Sequence, residues 1–212
     1  MTLATIFNLY LAVVIFVVIP GPGVMAMLAV SAEGGFSRGV LMGLGALTGD
    51  LTYAAIVVFS LGLVADQIEP YMVFVRLGGG GYLVYLGVKM ILTAVQSQRM
   101  NREESDASLV KNRQSAGKLY LTGAIISWTN PKVIIFYLSF FPLFVNVAVL
   151  DFYQRMGVMA IVSLGLITGV AIVSAGGGSL QKMIKNPIMA RRINSVCGVI
   201  LIMVGLVLGW PT

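Results

Sequence analysis

Two charged residues and two interrupted stretches carry the chemistry this sequence offers. Asp50 stands in "GALTGDLTYAA" and Lys132 in "TNPKVIIFY", each near the middle of a long apolar run. A charge at the centre of a membrane-spanning helix costs roughly 2.5–3.5 kcal/mol on insertion scales, so each needs a partner or a task. The two can neutralise one another as a structural ion pair. Alternatively they can hold the ends of a zwitterion, Asp50 taking an ammonium and Lys132 a carboxylate. Both roles can coexist, with substrate competing for a resting pair. Removal from water disfavours the charged form of a carboxylate, which makes Asp50 the candidate proton-coupling group.

The interruptions are "PGPG", Pro20–Gly23, and "TNPK", Thr129–Lys132. Proline has no amide hydrogen, and glycine accepts dihedrals that other residues avoid. A helix running into Pro20 stops or kinks there, and a second half-helix can begin at Pro22, a favoured first-turn residue. The amides of Gly23, Val24 and Met25 then lack intrahelical acceptors. In hydrocarbon such groups need protein, water or a ligand, and the helix dipole makes a carboxylate suitable. At the second break Asn130 can cap a helix starting at Pro131. Lys132 follows in the first turn, where a cation opposes the dipole and calls for an anionic neighbour. The candidate substrate-binding residues are therefore Pro20, Gly21, Pro22, Gly23, Asp50, Asn130, Pro131 and Lys132.

The elements that hold these residues follow from composition. Of 212 residues, 58% are apolar and only 10% charged, against roughly 25% charged in soluble domains. Mean hydropathy is +0.94. An all-α integral membrane protein is the consequence, held by small residues and polar contacts, in keeping with 25 glycines. Apolar segments of spanning length fall near 4–32, 39–65, 71–95, 118–146, 154–180 and 193–210. These predict six transmembrane helices in a single membrane domain, 1–212. Two halves of three, 1–95 and 118–212, flank a polar loop, 96–117. Three spans per half make any repeat inverted in the membrane. The first and fourth segments are unusually long, and each is interrupted near its middle, so the sequence predicts an inverted 3+3 repeat with interrupted first and fourth helices.

The net charge of +6 comes from basic residues in short loops, which points to membrane orientation rather than nucleic acid. Ten lie on one side: Arg38, five between Arg99 and Lys118, and four between Lys182 and Arg192. The other side has Arg76 and Arg155. This split places the basic loops in the cytoplasm and both termini outside it. With one cysteine, Cys197, and no histidine, an intrachain disulfide, a Ser-His triad and a histidine metal site are all excluded. Cys197 reads as a packing residue, and no cofactor or metal is implied. The start "MTLATIFNLYL" lacks the basic residues of a cleavable signal. Glycines from Gly39 to Gly49, Gly78–Gly81 and Gly176–Gly178 read as helix-packing positions, with local bending or hinge motion as the alternative. Tyr53, Trp128, Phe136 and Tyr137 read as bundle packing or interfacial anchors, with a substrate path as the alternative.

At these motifs the chain resembles the LysE/RhtB family of amino-acid exporters. The likeness takes in "PGPG", the spaced glycines ending in "TGD" (Thr48–Asp50), "GGYLVYLGVKM" (Gly80–Met90) and "NPKVIIFYLSFFPLF" (Asn130–Phe144). Relatives often carry glutamine where this chain has Leu143. The resemblance implies six helices and efflux of an amino acid or close derivative across the bacterial inner membrane. It also implies energisation by the proton gradient, that is, proton antiport. The partners expected are a small amino-acid substrate, protons and membrane lipids, with a homo-oligomer compatible with the sequence. A metal-cation exporter would need several carboxylates or soft ligands at mid-depth, and a membrane-embedded enzyme a gathered set of acid–base or metal-ligating groups. One carboxylate and one lysine serve either alternative poorly.

Overall fold

A computed structural model of the chain describes residues 2–68, 72–96, 115–141, 145 and 150–209. Among them every regular element is helical: α1 (Leu3–Val18), α2 (Pro22–Gly34), α3 (Phe36–Ile68), α4 (Met72–Gln96), α5 (Ala116–Thr129), α6 (Pro131–Ile135), α7 (Phe152–Lys185) and α8 (Pro187–Gly209). A π-helical turn, Phe136–Phe140, continues α6. Leu143 and most of the polar loop, 97–114, lie outside the described residues.

The helix ends follow the local chemistry. The Thr2 hydroxyl accepts from the Thr5 amide, 3.2 Å, and caps α1. That helix stops at Val18, just before Pro20, and α2 restarts with Pro22 in its first turn, bent 68° from α1. Gly35 separates α2 from α3 with φ +85°, a left-handed conformation that glycine adopts without strain. Helix α7 opens with a reciprocal box. The Gln154 amide donates to Asp151 Oδ1, 2.8 Å, and the Asp151 amide to Gln154 Oε1, 3.2 Å. Helix α8 begins at an Asn-Pro pair, where Asn186 Oδ1 accepts from the Ile188 amide, 3.0 Å.

By length and apolarity, Phe36–Ser60 and Phe152–Ser179 are each sufficient to cross a membrane, and the bent pair α1–α2 is a third candidate if its halves form one span. The apolar part of α4, Leu77–Leu92, is shorter. Large apolar side chains such as Phe7, Ile56, Leu164 and Val199 face outward, as on a protein solvated by lipid.

Helices α1, α2, α3, α5 and α7 form one bundle, whereas α4 and α8 pack chiefly against each other and meet the bundle through the π turn and α7. The main core joins Leu9 and Val13 of α1, Val57 of α3, Tyr137 of the π turn, and Val162 and Leu166 of α7. Close helix approach depends on glycine. A Cβ on Gly45 would collide with the carbonyl of Tyr120, and one on Gly123 with that of Met42, so α3 and α5 touch backbone to backbone. The α4–α8 seam does the same, with Gly87 and Gly198 each against the other's carbonyl.

Two expectations need correction. Helices α7 and α8 start earlier than the apolar segments 154–180 and 193–210, because their polar caps lie ahead of the apolar run. Gly78, Gly81 and Gly178 also do not pack against another helix: nothing lies within 4 Å of where their Cβ would sit.

Candidate functional site

The two breaks meet, and Lys132 joins them. Asn130 Oδ1 accepts the Lys132 amide, 3.0 Å, and caps α6 with Pro131 in the first turn. The lysine side chain crosses to the end of α1. Its Nζ donates to the carbonyls of Phe16 and Ile19, 2.8 Å each. In an unbroken helix the Phe16 carbonyl would accept from the amide four residues on, which is Pro20 and has no hydrogen. Lys132 supplies that missing donor, and its charge complements the negative end of the α1 dipole. Nζ also lies 4.6 Å from the Phe16 ring centroid, and that ring stacks on Phe136 at 3.9 Å. Gly21 lies against the lysine stem, 3.6 Å from its Cδ to where a Cβ would stand.

Asp50 projects from α3 into the same place. It is 7% exposed, and its Oδ1 has no hydrogen-bond partner. No ion pair joins it to Lys132, whose ammonium is engaged by the α1 carbonyls. Asp50 is the expected anionic neighbour on the same cavity, while the direct hydrogen bonds of the ammonium go to two backbone oxygens. Gly21, Gly23, Asp50, Asn130 and Lys132 line one cavity of about 50 Å³, together with the buried Ser127. Since a water occupies about 30 Å³, that volume holds one or two. The N-terminus of α2 has no side-chain cap, so its first turn, beginning beside this cavity, can receive an acceptor.

Two larger cavities flank the small one. A cleft of about 480 Å³ lies between the breaks and the α4–α8 pair, and it takes in Pro20, Pro22 and Pro131 as well as Gly21, Asn130 and Lys132. A second, of about 280 Å³, runs from Asn8 along α1 to Phe136 and Val204. Lys132 borders all three. Each of the eight candidate residues borders the small cavity or the cleft.

Among the aromatic residues, Phe136 lines the second large cavity. Tyr137 is fully buried beside it, rings 5.1 Å apart. Tyr53 donates to the Trp128 carbonyl, 2.6 Å, and Trp128 Nε1 to Thr52, 3.4 Å, which ties α3 to α5. Cys197 is half-buried against Leu201 and its neighbours. Sequence reading missed Phe16, Ser127 and the contribution of α4 and α8. Ser127 had a usable signal, three residues before the Asn-Pro break on the same helix face.

Comparison with known proteins shows the family. The profile described as LysE type translocator matches residues 14–210. The chain is 27% identical over 208 residues to an uncharacterized membrane protein of Synechocystis sp., covering 97% of this chain and 95% of that one. It is 35% identical over 142 residues to a leucine efflux protein of Klebsiella pneumoniae, and 30% over 139 residues to one of Salmonella typhimurium. In both cases the match covers 65% of this chain and 62% of the relative, so the chain spans less than two thirds of the leucine efflux proteins' length. No solved structure matches it significantly. With the profile covering nearly the whole chain, this protein belongs to the LysE type translocator family, whose members are membrane transporters and not enzymes.

Proposed function

We propose that the chain is a secondary exporter that carries an amino acid or close derivative out of the bacterial cytoplasm in exchange for protons. The observation that carries this reading is the meeting of Asp50 and Lys132 on one cavity at two helix breaks, with the Asp50 Oδ1 unpartnered and the lysine hydrogen-bonded to backbone carbonyls. A buried carboxylate oxygen without a partner is costly, and either a proton or a substrate ammonium relieves it. The substrate carboxylate competes with the Phe16 and Ile19 carbonyls for Lys132. Proton and substrate thus exclude one another at Asp50, which is the logic of exchange. The names of the leucine efflux relatives support an amino-acid substrate.

The architecture in this reading is six spans, 1–95 and 118–212 forming inverted halves. Each half opens with a broken span whose second part has proline in its first turn. The contacts of α3 with α5 are mirrored by those of α7 with α1, while α3–α7 and α4–α8 pair each helix with its counterpart. Lys132, bordering a cavity on either side, is the point past which substrate moves when one half rocks on the other. The ten-to-two division of loop charges places the three basic loops in the cytoplasm and both termini outside the inner membrane.

Efflux from vesicles preloaded with single amino acids, with and without a pH gradient, tests the proposal. Gradient-accelerated efflux of at least one amino acid is expected. Efflux indifferent to the gradient removes proton exchange, and no efflux of any amino acid removes the function. A reporter fused to each end must read non-cytoplasmic, and a cytoplasmic C-terminus overturns the topology.

A further inference from the structure

We infer that the cleft between the helix breaks and the α4–α8 pair receives the side chain of the substrate, and that Lys89 makes it reject basic amino acids. The inference rests on the proposed exporter function and adds the residues that set its selectivity.

Size decides where a side chain can go. The Asp50 cavity, at about 50 Å³, cannot enclose an amino acid, whereas the cleft, at about 480 Å³, falls in the ordinary range of small-molecule sites, roughly 300–1,000 Å³. The two volumes share Gly21, Asn130 and Lys132. A zwitterion whose carboxylate reaches Lys132 and whose ammonium faces Asp50 puts its side chain in the cleft, which is larger than the second cavity of about 280 Å³ and, unlike it, reaches the Gly21 and Asn130 breaks that border Asp50's cavity.

The wall there is chemically selective. Met25, Leu86, Met90, Ile193 and Leu201 give it an apolar surface. Two methionines make it adaptable to side chains of different branching, because the thioether has several rotatable bonds and no fixed shape. Tyr82 and Asn194 add uncharged polar groups. Among the described residues, the charged groups that line it are both cationic, Lys89 and Lys132. A lysine or arginine substrate would bring its side-chain cation against Lys89, with no carboxylate among the described lining residues to offset it, and like charges placed together suppress the wrong ligand. Neutral apolar side chains meet no such opposition.

The test is counterflow in proteoliposomes of the purified protein loaded with leucine, with leucine, methionine, lysine and arginine as competitors. For the wild type, leucine and methionine compete well and the two basic amino acids poorly. Lys89→Glu lowers the ratio of lysine to leucine inhibitory concentrations by roughly tenfold, and Lys89→Gln lowers it by less. Leu86→Trp, which fills the cleft, shifts competition from leucine toward alanine. Because each readout is a ratio within one preparation, a general loss of folded protein does not imitate it. Should a variant give no counterflow at all, the same ratios are read from protection against thermal unfolding by each amino acid. Equal competition by lysine and leucine in the wild type, or an unchanged ratio in both Lys89 variants, overturns the inference while leaving amino-acid export standing. If the wild type carries no amino acid, the proposed function and this inference fall together.

Discussion

Replacing Asp50 with asparagine makes transport and stability move in opposite directions. Asp50 is 7% exposed, and its Oδ1 finds no hydrogen-bond donor. Leaving a buried polar group unpaired costs about 1–3 kcal/mol, and a charged one costs more. Asparagine keeps the shape and the neutral part of that penalty but loses the charged excess, about 1–2 kcal/mol. Lys132 is not orphaned by the change, because the carbonyls of Phe16 and Ile19 hold its ammonium at 2.8 Å each. For a chain of this size the gain corresponds to a melting temperature higher by about 2–8 °C. The assay is paired. Thermal unfolding in detergent gives stability, and efflux from preloaded vesicles gives function. Asp50→Asn is expected to melt higher and to lose acceleration by a pH gradient. If it melts lower than the wild type, Asp50 has a stabilising partner and the reasoning from its bare oxygen is wrong. If it melts higher and still responds fully to the gradient, Asp50 is not the coupling group.

Three other outcomes follow from the geometry. Lys132→Met should weaken protection against thermal unfolding by leucine far more than by leucinamide, which lacks the carboxylate; equal loss for both removes carboxylate capture by Lys132. Gly45→Val places a side chain against the Tyr120 carbonyl, and overpacking of this kind costs about 1–3 kcal/mol or more, so the yield of folded protein by size-exclusion chromatography should fall sharply, while Gly78→Ala, with open space around it, should behave as wild type. Arg155→Gln removes guanidinium bonds to the carbonyls of Leu150, 3.1 Å, and Val58, 3.1 Å; it should lower the melting point by a few degrees, consistent with about 1–3 kcal/mol for charge-assisted bonds.

The breaks were readable because proline imposes its chemistry wherever it stands: Pro20, Pro22 and Pro131 fix the ends of helices without help from distant residues. Asp50 and Lys132 were readable because a charge in an apolar run must be answered for. How Lys132 is satisfied was not readable. Its acceptors lie 116 and 113 residues earlier in the chain, and they are backbone atoms, which every residue has and which leave no mark in the sequence. The starts of α7 and α8 were written in Asp151–Gln154 and Asn186–Pro187, but a search for apolar length passes over polar caps. Gly78 and Gly81 stand in open space in the same run as Gly80, whose carbonyl meets the place of a Gly205 side chain. A run of glycines does not tell which of them faces a neighbour.

The seam between α4 and α8 is made of main chain meeting main chain at Gly87, Gly198 and Gly205. Its fit therefore depends on a few positions that must stay bare, with Leu86 and Met90 packed beside them against Leu83 and Leu201. On the proposed reading, a cleft residue outside that cluster, such as Tyr82, can be exchanged to alter selectivity without loosening the joint behind it.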